Sequence, residues 1–422
     1  MTTKITEKNI SSLANAGVSW QSVVVADGST GLTTVAGRGY FINTTSGAQT
    51  VTLPASANVG DVIVLKDYAR TWGTNAVSIA SNTFDGVGSR TPSFSTNGQT
   101  VTLVYMDNTR GWSLINEDTT TGLGAVFISA TGGTITTSGN FKIHSFTGDG
   151  CFVVATAGNP SGSDKVDYLV VAGGGGAGGD RAAGGGGGGF RESKDSTINS
   201  PHTASPLAAT SGITLTAQTY PITVGAGGAG DNYGASPSTN NATIGSSSVF
   251  STITSTGGGY GASALGACGE NGGAGGSGGG GATSGKTGGA GNTPPTSPSQ
   301  GNPGGSSSSP TGGGGGGATA SGSPTPASDG GAGGAGATTS ISGSPTAYSG
   351  GGGGGAQAPG SGGAGGTGGG AAGSPPSSTP AASRAGSVNT GGGGGGGNQT
   401  DSTGQPGGAG GSGIVIIRYK FQ

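Results

Sequence analysis

The octapeptide Gly280-Gly-Ala-Thr-Ser-Gly-Lys-Thr287 spells the phosphate-loop pattern G-x-x-x-x-G-K-T letter for letter. That chemistry needs a strand before the loop and a helix after it, so that free helix N–H groups cradle the phosphate. Here glycine precedes the motif, and Gly-Gly-Ala-Gly-Asn-Thr-Pro-Pro comes after it. In a chain with 103 glycines among 422 residues such matches arise by chance, and the GxGxxG matches fail on the same ground. No nucleotide or other cofactor is expected. His144 and His202 are the only histidines, with no cysteine or carboxylate at metal-ligand spacing, so no metal is expected either. His144 falls in a strand-like segment and reads as a surface or half-buried sheet residue; His202, between Pro201 and Thr203, reads as a loop residue. Nothing points to a Ser-His-Asp relay, and the connections lack the paired carboxylates that glycan cleavage requires. No catalytic residue is assigned, and the chain is expected not to be an enzyme.

What remains is recognition. With charged residues at 8% and a net charge of −2, contact would rest on tyrosine, asparagine, serine and threonine hydrogen bonds and on ring stacking. The candidates for receptor contact are Tyr348, Arg384, Asn389 and Tyr233, all on long connections between glycine segments. Trp20, Trp72 and Trp112 read as core or subunit-contact residues, with sugar stacking the alternative for Trp72, which sits in a loop-like stretch. From 257 to 413 the charged residues are Glu270, Lys286, Asp329, Arg384 and Asp401, which is no basic footprint for a phosphate backbone. Nucleic acid is therefore not an expected partner. Cys151 and Cys268 form no CxxC and no disulfide framework, and their pairing stays open. The N-terminus lacks an apolar signal region and no stretch approaches 18 apolar residues, so a soluble chain without membrane insertion is expected.

The elements that must position these residues are glycine segments of two kinds. Uninterrupted runs occupy 184–189, 312–317, 350–355 and 391–397. In 272–281, 330–336, 362–370 and 407–413, other residues recur every third position: Ala274 and Ser277, Ala332 and Ala335, Ala364 and Thr367, Ala409 and Ser412. Period three is neither helical nor strand-like, but it is the period of polyproline II, a rod with no internal hydrogen bonds. Glycine and proline together make up about 29% of the chain, a composition that ordinarily signals disorder. A flexible linker has no reason to alternate, yet beyond residue 312 the two kinds strictly alternate. A layered bundle of polyglycine II helices does alternate, because interior rods have neighbours all round and outer rods have one free edge. Segment 272–281 is then a single rod with Ala274 and Ser277 facing outward. A larger residue is tolerated at either, whereas any side chain at Gly352 or Gly394 disrupts packing.

A mainly β chain is expected around this bundle. Residues 1–17 read as an N-terminal attachment segment. Residues 18–122 form a β-sandwich-like module with strands near 20–25, 40–43, 50–53, 61–65, 76–79, 100–105 and 112–115. Residues 123–172 form a second β-base with strands near 125–129, 134–136, 141–146, 151–155 and 168–172. The bundle fills 173–422, with strands 220–224, 249–254 and 414–421 returning to the base. If successive rods are antiparallel, connection 337–349 gathers with 371–390 at one end and the shorter connections gather at the other.

The stretches Ser138-Gly-Asn-Phe-Lys-Ile-His-Ser-Phe-Thr147, Val166-Asp-Tyr-Leu-Val-Val-Ala-Gly-Gly-Gly-Gly176, Tyr220-Pro-Ile-Thr-Val-Gly-Ala-Gly-Gly228 and Gly413-Ile-Val-Ile-Ile-Arg-Tyr419 resemble the glycine-rich domain of tailed-bacteriophage tail fibres. The segment from Gly39 to Pro54, with Val59-Gly-Asp61, is similar to β-modules in fibres of marine and cyanobacterial phages. The glycine-rich part also resembles the polyglycine II sandwich of distal tail-fibre adhesins. The resemblance implies a virion protein that binds a host surface glycan or outer-membrane protein through loops between rods, without catalysis. It implies attachment to other tail or baseplate proteins through the N-terminal part, and commonly a homotrimer, although distal adhesins can be monomeric, so the stoichiometry stays open. Two other functions fit the residues: an ice-binding protein presenting the Ala332/Ala335 and Ala364/Thr367 columns, and a structural fibre spacer that carries another adhesin.

Overall fold

The computed structural model describes residues 18–80, 82–115, 126–160, 162–232, 242–264, 270–283, 285–308, 310–375, 384–400 and 403–422. Among these residues the chain is mainly β, with no α-helix. It divides into two compact units, Met1–Val126 with Gly158–Ser163 and Phe127–Ala157 with Asp164–Gln422.

In the first unit six of the seven expected strands are present, the one near 20–25 is split into Ser19–Trp20 and Val24–Val25, and Leu32–Thr33, Asn82–Phe84, Val87–Arg90 and Ser93–Phe94 join them. These four are too short for alternation to show in the sequence. An eight-stranded sheet and a four-stranded one share a core in which Ile42, Ile63, Leu65, Leu103 and Phe84 meet Val51, Val77, Ile79 and Phe94. Val62–Asp67, in the middle of the larger sheet, pairs parallel with Arg38–Asn43 and antiparallel with Thr100–Asp107. Trp72 is fully buried (0% exposed), so it offers no ring to a sugar. The buried Asp67 carboxylate fixes its loop by accepting the N–H groups of Thr71 at 3.2 Å, Trp72 at 3.3 Å and Gly98 at 2.8 Å. Trp112 is buried, whereas Trp20 is 45% exposed and stacks on Phe41 at 4.4 Å.

The second unit is built around its last strand. Ile414–Lys420 lies between Phe141–Phe146 and Lys165–Val171, antiparallel to both, with Ile417 opposite His144 on one side and Tyr168 on the other. Its run of apolar residues is continuous because both faces are covered. Val415, Ile417 and Tyr419 join Phe152, Tyr220 and Phe250 of the neighbouring five-stranded sheet. Ile414 and Ile416 point the other way, to Leu169, Phe190, Ile341 and Tyr348.

From this base the glycine segments run out. In 184–189 the N–H groups of Gly184 and Gly187 donate to Gly313 and Gly316, those of Gly185 and Gly188 to Gly394 and Gly391, and those of Gly186 and Gly189 to Gly259 and Thr256. Three neighbours are visited in turn and each is revisited after three residues. Segment 312–317 does the same with 352–355, 278–281 and 320–323. Buried amides are thus satisfied between segments, as burial demands. The uninterrupted runs are buried throughout. In 362–367 only Gly363 and Gly366 are buried while Ala364 and Thr367 are exposed, and Ala332, Ala335 and Ser412 are half-buried.

One segment differs from expectation. Residues 272–281 are not a single rod: the backbone bends over 275–277, and Gly279 donates back to Gly273 at 2.9 Å. Ala274 is exposed, but Ser277 is fully buried at the bend, its N–H bonded to Gly187 and its carbonyl to Gly259. Period three marks a small residue on a free edge and a small residue at an interior bend alike, so a larger residue at Ser277 is excluded.

The spacing also sets what a side chain would meet. A Cβ at Gly352 would lie 1.9 Å from the Gly394 oxygen, and one at Gly394 would lie 2.1 Å from the Gly408 oxygen. Gly352→Ala is therefore expected to destabilise the second unit by about 3 kcal/mol or more, while Thr367→Val stays within about 0.5 kcal/mol. Denaturant unfolding of the two variants checks this; equal midpoints would mean that rod spacing is not set by glycine.

Candidate functional site

Strand Lys165–Val171 feeds residue 173 into the bundle at the sheet end, and successive segments are antiparallel: 175 bonds 186, 314 bonds 323, 351 bonds 334 and 363 bonds 354. The connections consequently sort into two groups. At the sheet end lie 190–224, 247–256, 292–300, 337–348 and the turns at 275–277, 318–320, 368–369 and 388–390. At the far end lie 179–182, 324–329 and 356–360, together with the described ends of 231–242, 263–271, 282–286, 306–311, 375–383 and 398–405.

The far-end connections hold one another through short polar contacts. Asp231, 1% exposed, accepts the N–H of Gly179 at 3.2 Å and the Ser263 hydroxyl at 2.5 Å. Asp180 donates its N–H to Gln405 at 3.1 Å and sets its carboxylate 3.5 Å from Arg181; burial raises that carboxyl's pKa and Arg181 opposes the shift. The N–H of Ser308 reaches the Thr325 hydroxyl at 3.0 Å, and Asp329 accepts the N–H of Ser361 at 2.6 Å. Thr283 and Ala327 have φ of 64° and 52°, left-handed values that non-glycine residues adopt only where the surroundings impose them. The result is a platform that carries, among the described residues, serine, threonine, proline, asparagine and glutamine together with Asp180, Arg181, Asp231, Glu270, Lys286 and Asp329.

Of the residues singled out by sequence, the three that are described do not form one exposed site. Tyr348 ends the hairpin formed by Ala337–Thr339 and Thr346–Tyr348 at the sheet end; it is 3% exposed and burial raises its phenol pKa. Arg384 is at the far end but 1% exposed, donating to the Ser374 hydroxyl at 2.6 Å and the Pro406 carbonyl at 2.7 Å, and burial lowers its pKa. Asn389 is half-buried at a sheet-end turn with φ of 60°, bonded through its N–H and its Oδ1 to Ser412. Tyr233 lies outside the described residues, as does Cys268; Cys151 is an exposed free thiol. The expected grouping of 337–349 with 371–390 holds only for the last residues of the latter, where Ser349 donates its N–H to Thr390 at 2.8 Å; 370–374 and 384–387 are further bundle segments, as is 320–323. They carry no glycine run long enough to be counted, and each one reverses the direction of the next segment.

Both histidines are buried, His144 contrary to its reading as a surface or half-buried sheet residue, and His202 in a loop, as its neighbours in sequence suggested. His144 sits between the Gly132 carbonyl at 2.7 Å and the Tyr419 hydroxyl at 3.1 Å, and burial lowers its pKa. His202 meets Ser200 at 2.8 Å and Asp167 at 4.0 Å, both at Nδ1. A relay needs hydroxyl and carboxylate on opposite ring nitrogens, so this trio has the wrong order. The phosphate-loop match is a far-end turn in which Lys286 bridges Ser307, with a glycine segment and no helix behind it.

A family model for a glycine-rich domain matches residues 147–420. The chain belongs to this glycine-rich domain family. The match covers the bundle and its closing strand and leaves out nearly all of the first unit. No curated protein matches the sequence.

The polar residues that tie this glycine-rich domain together at its far end, Asp231, Ser263, Asp329 and Ser361, have one sequence signal: each sits beside a glycine segment. Asp231→Ala is expected to cost about 1 kcal/mol, because the buried Gly179 N–H, which Asp231 and the Ser263 hydroxyl share at 3.2 Å each, then depends on Ser263, and Asp231→Asn is expected to cost less. Thermal unfolding of both variants tests this, and an unchanged Asp231→Ala midpoint would remove Asp231 from that role.

Proposed function

We propose that the glycine segments are polyglycine II helices and that the chain is a bacteriophage tail-fibre adhesin. It binds a host surface glycan or outer-membrane protein through the far-end connections. The observation that carries this reading is the sorting of connections: those at one end merge into sheets, while those at the other form a platform of short polar residues. Binding residues are commonly placed on connections held by a rigid scaffold. The three-residue return of hydrogen-bond partners supports the polyglycine II assignment. On this reading the protein sits in the virion as a homotrimer, the N-terminal part joins other tail or baseplate proteins, and no catalysis is involved.

The test uses labelled full-length chain and a panel of bacterial strains. Binding to a subset of strains is expected. Replacing 324–329 and 356–360 by Gly-Ser segments of equal length should reduce it at least about tenfold, while replacing 342–345 at the sheet end should not. Binding equally sensitive to both replacements, or no binding to any strain, counts against the assignment. The exposed Ala364 and Thr367 beside 330–336 favour a second reading, ice binding, which thermal hysteresis by the purified chain would support.

A further inference from the structure

Beneath the bundle the sheet buries a group of charges that no recognition role uses. Asp167, on Lys165–Val171, and His202 are wholly enclosed, with Oδ2 of the acid 4.0 Å from Nδ1 of the imidazole. Asp167 Oδ2 and His202 Nε2 have no hydrogen-bond partner among the described residues. Every packed element contributes a charge or a polar group. Lys165 comes from the same strand as Asp167; Glu192, Lys194 and Asp195 come from the neighbouring strand and its exit; Arg418 comes from the closing strand; Thr339 comes from the 337–348 hairpin.

These groups pin one segment. Asp167 Oδ1 accepts the N–H of Asp195 at 2.7 Å, Glu192 accepts the N–H of Ser205 at 2.9 Å, and Lys194 donates to the His202 carbonyl. The segment in turn grips the hairpin: Thr203 donates its N–H to the Ser340 hydroxyl at 2.7 Å and accepts the N–H of Ser340 at 2.8 Å. The hairpin connects 330–336 to 350–355.

We propose that Asp167 and His202 form a pH-sensitive latch. While both side chains are neutral it holds segment 195–205, and through it the 337–348 hairpin, against the sheet. When either side chain charges, the latch loosens.

The directions of the two titrations are set by the surroundings. Burial raises the Asp167 carboxyl from 3.8 to about 7; the Asp195 N–H bonded to it and the Lys194 charge oppose the rise, and the Asp195 and Glu192 charges add to it. Its stabilising effect is complete below 3.8 and is lost as pH rises through about 7. Burial, then Lys194 and Arg418, lowers His202 from 6.5 to about 4, so its contribution is present above 6.5 and is lost as pH falls through about 4. Asp195 stays ionised throughout: its burial is outweighed by hydrogen bonds from Thr197, Gly212 and Lys165, which hold it below the usual carboxylate range. The latch is closed between these limits.

Hydrogen exchange on the full chain, corrected for intrinsic rates, tests the upper limit. Peptides covering 195–205 and 337–348 should lose protection about tenfold or more between about pH 6 and about pH 8.5, while strand Thr100–Asp107 of the first unit does not. In Asp167→Asn the difference should vanish. Constant protection in the parent, or an unchanged pH response in Asp167→Asn, would overturn the latch. Should Asp167→Asn fail to fold, the His202 ring resonances of the parent decide: an inflection near pH 7 is expected as Asp167 ionises, and a flat response between about pH 5 and about pH 8.5 overturns it.

Discussion

Everything in the second unit depends on how closely bare backbones can approach when neither carries a Cβ. Glycine loses more conformational entropy on ordering than any other residue, and these segments bury almost no side chain to offset that loss. What they gain is dense contact between main chains and a partner for each amide of the uninterrupted runs. Both gains need a separation at which a Cβ would overlap a neighbouring carbonyl oxygen, as at Gly352 and Gly394. The hydrogen-bond pattern is therefore neither a helix nor a ladder: each segment shares its bonds among three neighbours, and no two segments form a sheet by themselves.

The bundle's own apolar cluster is small, Ala183, Ala262, Ala264 and Ala282, and the adjoining sheets supply a larger one. Strand Ile414–Lys420 closes the sheet between the two strands that precede the bundle, so its two ends are fastened at one place. The hairpin at 337–348 adds Ile341 and Tyr348 to the same apolar layer. The sheet end is thus structural. At the far end a connection has only to return the chain to the next segment and to satisfy the exposed ends of the rods. Asp231 and Asp329 do this by accepting backbone N–H groups across connections.

Period three and the alternation of segment types marked which segments are interior and which lie at the surface, and burial follows that division at Ala364, Thr367 and Ala409. The strands flanking the bundle were legible too, because their β-branched runs stop abruptly at glycine. The candidate site was less legible. Tyr348 and Arg384 stand out in a polar, nearly uncharged region, but a large side chain there is as readily a plug for the base or a tie between rods as a contact for a partner. Burial decided for the former in both cases.

The sequence by itself determined the fold class, the glycine-to-glycine packing and the closing of the chain on its own sheet, since these rest on local spacing and composition. Only the tertiary structure decided which connections share an end. That depends on the parity of all preceding segments, and short ones such as 320–323 and 384–387 have no local signature. The tertiary structure also decided that 272–281 folds back on itself and that His144 and His202 are interior. A bend and an exposed edge call for the same small residue, and a histidine's burial is set by strands far from it in the chain, such as Ile414–Lys420.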